Sequence, residues 1–519
     1  MSLTSSGIQA LTTGQIAGFN TSQAAALTAA DLNYFTSTQL QAITTTDVQV
    51  LATATLNGLN STTLGSLATS QVAMLATSQA VSLSATTLNS LAAGSTTNLD
   101  HLTTTDITVL STAVLNGLNS VTLGALTTSQ VAVLTTSQAA ALTSATVGKF
   151  SSANLDQLTT TDVAVLSTAT LNGLTSTTLG ALTTSQAAAL STSQAAGLSA
   201  AAMNALAAGS TTNLDKLTTS DIAALSTATL NGLTSTALGA LTTSQVAVLT
   251  TSQAAALTSA TVGKFTSTNL DVLTTSDIAV LSTATLNGLT STTLGALTTS
   301  QAAALSTSQA AGLSAAAMNA LATGSTTNLD KLTTSDIAVL STATLNGLTS
   351  TALGALTTSQ VAVLTTSQAV GLSGTALNSL AAGSTTSLQV LTTTDISVLT
   401  TATLNGLNSR SLGGLTTAQI SALSTSQVAG LSGAAVNALA IGSTTNLGVL
   451  TTAKIDAIST ATIKGLTTAT ISALTTSQQA HLTTSQLGAL SATQSAALST
   501  TAVAAMSSAQ VGVLLGIGS

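Results

Sequence analysis

Seven aspartates recur in one setting: Asp47, Asp106, Asp162, Asp221, Asp277, Asp336 and Asp395 each stand fifth in an eight-residue phrase that opens Leu/Ile-Thr-Thr. As metal ligands they form at best a sparse ladder for Ca²⁺. That ion wants six to eight oxygens, and one carboxylate per block with scattered hydroxyls supplies few. The same spacing has a local use. An Asp or Gln three residues after Thr completes a capping box, and a carboxylate at the third helical position meets the positive end of the helix dipole. His101 and His481 stand alone in a chain with no Cys, too few ligands for a metal site and too few partners for a catalytic dyad. Serines are abundant, but no Gly-x-Ser-x-Gly elbow occurs. The sequence therefore predicts no enzyme and no cofactor.

The elements that carry these residues are written in one phrase. Leu126–Ala141 reads LTTSQVAVLTTSQAAA. In the first octad Thr127 and Gln130 make a capping box, and Leu126 and Val131 fall at the two positions of a hydrophobic staple. Val131 and Leu134 lie three apart and share a helical face. The chain thus restarts a helix every eight residues. Helices so short are marginal alone, so neighbours must stack, as in a solenoid. A β-solenoid is the alternative, because Thr and Val favour strands. Against it, octad positions one and six are an odd distance apart, and Ala at seven and eight suits a helix. The expected fold is an all-α solenoid of one-turn helices.

The frame runs from Leu3 to Leu514 as 57 octads and five eleven-residue units, which begin at Leu91, Leu206, Leu321, Leu380 and Leu439. It predicts a single continuous solenoid over 1–519. The longer units are expected to bulge as loops at Gly94, Gly209, Gly324, Gly383 and Gly442. Octads with the recurring Asp begin 56 or 59 residues apart, always seven units, and Lys454 replaces the Asp in the eighth block. Seven units are expected to match a superhelical repeat that aligns the Asp octads. Gly173, Gly232, Gly288 and Gly347 follow Asn and suit the left-handed residue that ends a helix. Lys149, Lys216, Lys264 and Lys331 close their units beside a helix C-terminus, which favours a cation. Asp215-Lys216 and Asp330-Lys331 are expected to be exposed pairs of little worth. Phe19, Phe35, Phe150 and Phe265 replace the leading Leu and read as core.

Composition narrows the function. There is no Pro, Cys, Trp or Glu; 4% of residues are charged, and the net charge is −7. Such a hydroxyl and amide surface offers no basic patch for nucleic acid. The 44% apolar content argues against disorder. No apolar run is long enough for a membrane span, and no signal-peptide pattern opens the chain. Export is expected by a route without a cleaved N-terminal signal. The C-terminal stretch 507–519, with Val511, Val513, Leu514, Leu515 and Ile517, reads as an uncapped apolar end. Such an end invites head-to-tail stacking into a filament. The paired hydroxyls after each Leu could instead match ice or a glycan, though helix capping accounts for them.

The pattern Leu-[Thr/Ser]-[Thr/Ser]-x-[Gln/Asp]-[Val/Ile/Ala]-x-x, over nearly the whole chain, resembles highly repetitive bacterial exported proteins of the adhesin and biofilm-matrix kind. The resemblance implies an extracellular or cell-surface structural role. The expected function is that of a self-assembling filament or surface-fibre subunit, with itself and surface polysaccharide as the expected partners.

Overall fold

The computed structural model describes residues 4–324, 326–384, 386–442 and 444–517; Leu3, which opens the repeat frame, lies outside them. Among the described residues there are 62 helices and no strand. One helix begins in each repeat unit, so the fold is the all-α solenoid and not its β alternative.

The octad works locally as its residues dictate. In the helix Thr128–Ala132, the Gln130 N–H donates to Thr127 Oγ1 at 3.2 Å, and Gln130 Oε1 accepts the Thr127 N–H at 2.8 Å. Two of the four orphan N–H groups of the helix start are thereby satisfied. The helix stops after five residues because the next leading residue, Leu134, is followed by a new Thr cap. Leu126, Val131 and Leu134 are buried, while Thr128 and Ser129 face water. Each unit thus contributes its first and sixth residues to an inner apolar seam.

Contacts divide the chain into two compact units. The first comprises Met1–Gln253 and Lys264–Val272. Within it, Gln130 Nε2 donates to Leu99 O and Leu102 O, 31 and 28 residues back, at 2.7 and 2.8 Å. Gln186 repeats this on Leu155 O and Leu158 O. The second comprises Ala254–Gly263 and Leu273–Ser519. There Gln360 donates to Leu329 O and Leu332 O, and Gln419 to Leu388 O and Leu391 O. In both, a helix packs on the third and fourth helices before it. A turn therefore takes about three and a half repeat units, and a seven-unit block closes two turns. Within each compact unit the recurring Asp residues stand in one column, every second turn.

The eleven-residue repeat units do not bulge as loops. The helix of the preceding octad runs straight into them, giving the ten-residue helices Ala85–Gly94, Ala200–Gly209, Ala315–Gly324, Gly374–Gly383 and Gly433–Gly442. After the leading Leu, Ala92, Ala207, Ala322, Ala381 and Ala440 stand where Thr, Ser or Asn caps most other units, and no Gln follows three residues later. Without a cap nothing obliges the helix to end there, although Ala52 lacks both features and still opens the helix Thr53–Asn57. A second, short helix such as Thr211–Asp215 then completes the unit.

The glycines serve a different purpose from the one their sequence suggests. Among the described residues only Gly516 has positive φ. Gly173 is right-handed, at φ −87° and ψ −6°, and Gly232, Gly288 and Gly347 match it. They are glycine for want of space. A Cβ at Gly173 would lie 2.6 Å from Ser144 Oγ, and one at Gly347 2.7 Å from Ala315 Cβ. The tightest approaches join the ten-residue helices to a neighbour, where Gly94, Gly209, Gly324 and Gly383 meet the backbones of Gly65, Gly180, Gly295 and Gly354.

Candidate functional site

The seven recurring aspartates are buried, none more than 3% exposed. Asp221 is representative. Its Oδ2 accepts the Thr218 N–H at 2.8 Å, and its own N–H donates to Thr218 Oγ1 at 3.2 Å. Asp106, Asp162, Asp277, Asp336 and Asp395 form the same reciprocal box with Thr103, Thr159, Thr274, Thr333 and Thr392. Asp47 accepts from the Thr44 hydroxyl at 2.6 Å. The carboxylates are thus engaged with helix starts. Among the described residues no three His, Cys, Asp or Glu side chains are grouped closely enough to hold a metal ion.

What these residues build is a polar seam beside the apolar one. Where the fifth residue of an octad is Gln, its amide works in two directions. Oε1 caps its own helix, and Nε2 stitches that helix to carbonyls one turn back. This second role excludes Glu from these positions. A glutamate could complete the capping box, but it would aim a carboxylate at two carbonyl oxygens. Asp is shorter and likewise lacks the donor. In the four Asp repeat units preceded by an eleven-residue unit, the link comes from the other side. Thr77, Thr192, Thr307 and Thr366 donate to the free oxygen of Asp106, Asp221, Asp336 and Asp395, at 3.2, 2.7, 2.9 and 3.1 Å.

A third ladder runs along the seventh residue of selected octads. Asn172 Nδ2 donates to Gly197 O, and its Oδ1 accepts the Ser199 N–H, both at 2.8 Å. Asn57, Asn287, Asn346 and Asn405 do the same with the residues 25 and 27 ahead. The side-chain amide pairs with the neighbouring turn as a strand backbone would. Sequence reasoning passed over this ladder; its one trace was the recurrence of Asn before the unit-closing Gly.

The remaining candidates take structural places. Lys149 and Lys264 each donate from Nζ to a carbonyl 31 residues back, Leu118 O and Leu233 O, at 2.7 Å. Lys216 and Lys331 are exposed, as are Asp215 and Asp330. Lys454, in the place of the recurring Asp, donates from Nζ to Ser421 O at 2.7 Å. Phe35 is buried, but Phe19, Phe150 and Phe265 are only half-buried, a correction to their reading as core; the leading position itself is only partly covered in some units, where Leu11, Leu27, Leu174 and Leu289 are half-buried as well. His101 is exposed, and His481 lines an open groove with Ser477, Met506 and Gln510.

Three polar sites remain imperfect among the described residues, the first being Asn98 Nδ2, buried without a partner. Asn213 Oδ1 and Asn328 Oδ1 are buried without a hydrogen-bond partner. Both stand at the Gln position of an eleven-residue repeat unit. The shorter side chain reaches one carbonyl, Leu182 O or Leu297 O, and falls short of the helix start.

Two stacking faces lack a partner among the described residues. Gln39 Nε2 bonds to Ile8 O and Leu11 O, whereas the Nε2 groups of Gln15 and Gln23, one turn earlier, meet no carbonyl. At the other face, the helix Ser508–Leu514 has no buried residue. Val511, Val513 and Leu514 are half-exposed there, and Leu515 and Ile517 are 65% and 78% exposed. No described helix is long and apolar enough to cross a membrane.

A family model described as the ALTTAQ repeat matches residues 214–251, 270–307 and 329–366. No curated protein matches the chain. Each matched stretch holds an Asp octad and the three octads after it. Those three stretches are similar to the ALTTAQ repeat, and the chain that carries them is a repeat protein.

Proposed function

We propose that this chain is a non-enzymatic extracellular structural protein that stacks end to end into a filament or surface fibre, adhesive or matrix-forming, with surface polysaccharide as a further partner. The pair of unpartnered stacking faces carries the reading. One face offers the spare amide donors of Gln15 and Gln23. The other offers apolar Val511, Val513, Leu514, Leu515 and Ile517, together with the carbonyls of Ser495 and Leu498, which accept no glutamine amide among the described residues. Donors thus meet acceptors, and the contact repeats the one already made between turns inside the chain. A heterologous contact that does not close generates a filament. The composition agrees: a surface of hydroxyls and amides has little charge to hold copies apart.

Electron microscopy and sedimentation of the purified chain test this. Linear assemblies that lengthen with concentration are expected, and the double variant Leu515→Glu/Ile517→Glu should remain single. Monodisperse single chains at every concentration, or fibres unaffected by the double variant, would refute it. A second reading has one observation in its favour: exposed hydroxyl pairs such as Thr128-Ser129 and Thr136-Ser137 recur at many helix starts. They would serve as an ice- or glycan-facing array, which thermal hysteresis and glycan-binding measurements address directly.

A further inference from the structure

The ladder asparagines are followed by glycine at Asn57, Asn116, Asn172, Asn231, Asn287, Asn346 and Asn405. Asn-Gly is the dipeptide in which the backbone nitrogen most readily reaches the side-chain amide. That nitrogen attacks Asn Cγ and forms a C–N bond. The Cγ–Nδ2 bond breaks, ammonia leaves with the nitrogen's proton, and water then opens the succinimide ring to aspartate or isoaspartate. No oxidant or enzyme is required.

We propose that these Asn-Gly steps are latent deamidation sites, silenced by the stacking of turns and released when a turn opens. Both reacting groups are tied down in the native chain. The nucleophile at Gly173 donates its N–H to Ala169 O and Thr170 O, both at 3.1 Å. Gly58, Gly288, Gly347 and Gly406 make the same pair of bonds. The electrophile is held too, because Asn172 is fixed by two hydrogen bonds to the neighbouring turn. Cyclisation must break all four. The sites nonetheless sit at the water-facing edge, where Asn57, Asn172, Asn287, Asn346 and Asn405 are exposed. Water for ring opening is at hand once the turn parts.

Conversion is also self-perpetuating. Aspartate in place of Asn172 loses the donor to Gly197 O and sets a carboxylate oxygen against it, so the opened turn does not restack as before. The modification therefore records past opening and makes it permanent.

The same ladder contains built-in controls. Asn204 and Asn319 make equivalent bonds, to Gly232 O and Gly347 O at 3.0 Å, but are followed by Ala. The test ages the full chain at mildly alkaline pH, folded and in guanidinium, with peptide mapping over time. Unfolded, the Asn-Gly sites should convert well before Asn204 and Asn319. Folded, they should convert slower by at least about tenfold, because reaction waits on local opening. Equal rates in the folded and unfolded chain would overturn the proposal. As an independent readout, Asn172→Asp should lower the thermal midpoint and raise hydrogen exchange in the flanking turns; an unchanged midpoint and unchanged exchange would overturn the claim that conversion keeps a turn open.

Discussion

Replacing Gln186 with methionine keeps the length of the side chain and removes its polar end. Three hydrogen bonds are lost: the Thr183 N–H at 2.9 Å, and Leu155 O and Leu158 O at 2.8 Å each. Leu155 O still accepts the Leu158 N–H at 3.2 Å, while Leu158 O is left bare. A lost bond averages about 1 kcal/mol, and a stranded buried acceptor costs about 1–3 kcal/mol. The expected loss is about 3 kcal/mol. Solenoid stability is a sum of repeat and neighbour terms, so the loss should be local. Native-state hydrogen exchange in the turns around Gln186 should accelerate about a hundredfold. The matching control is Gln23→Met, which removes only the Asn20 N–H bond at 3.0 Å on an exposed side chain and should cost less than about 1 kcal/mol. Gln186→Glu should be worse than Gln186→Met, since it faces two carbonyl oxygens with a carboxylate. Equal losses from Gln186→Met and Gln23→Met would refute the stitching role of the amide.

Three further outcomes follow from other contacts. Gly209→Ala drives a methyl into the Gly180 backbone and should destabilise by about 3 kcal/mol or more, whereas Gly124→Ala meets nothing within 4 Å and should stabilise by about 0.4–1 kcal/mol; thermal unfolding separates the two. Thr192→Val removes the 2.7 Å bond to Asp221 and should cost about 1.5–3 kcal/mol, read by exchange in the helix Thr219–Ala224. Asn213→Ser replaces a buried amide whose oxygen has no partner by the residue that Ser387 already places at the corresponding site. It should leave the thermal midpoint unchanged or raise it, and a clear fall would show that the Asn213 amide matters more than its single bond to Leu182 O implies.

The helix was legible wherever an octad carries a capping box, because that box lies within four residues. Thr127 and Gln130 state it without help from the rest of the chain, and the seven aspartates state it again. The stacking was only half legible. Leu126 and Val131 say that an apolar face must be covered, but the carbonyls that take the Gln130 amide lie 28 and 31 residues away, beyond any local pattern. The choice of Gln over Glu at position 130 was visible in the sequence, yet the donor requirement behind it appears only once turns are laid together. The eleven-residue repeat units were misread because Gly94 and Gly209 drew attention from the missing cap at Ala92 and Ala207. The unit-closing glycines misled for a related reason: Gly173 reads as a left-handed terminator, while its role depends on Ser144, a turn away.

The half-unit offset between successive turns has a consequence for how such a chain can grow. Within each compact unit a helix rests across the joint between two others, like masonry in running bond, so no vertical crack runs between its courses. Inserting or deleting a single octad would slide every later course by one brick and set aspartates where glutamines belong. Only additions of seven bricks return the pattern to itself. Length variants of this chain should therefore differ by whole double courses of 56 or 59 residues, the smallest addition that leaves the bond of the wall intact.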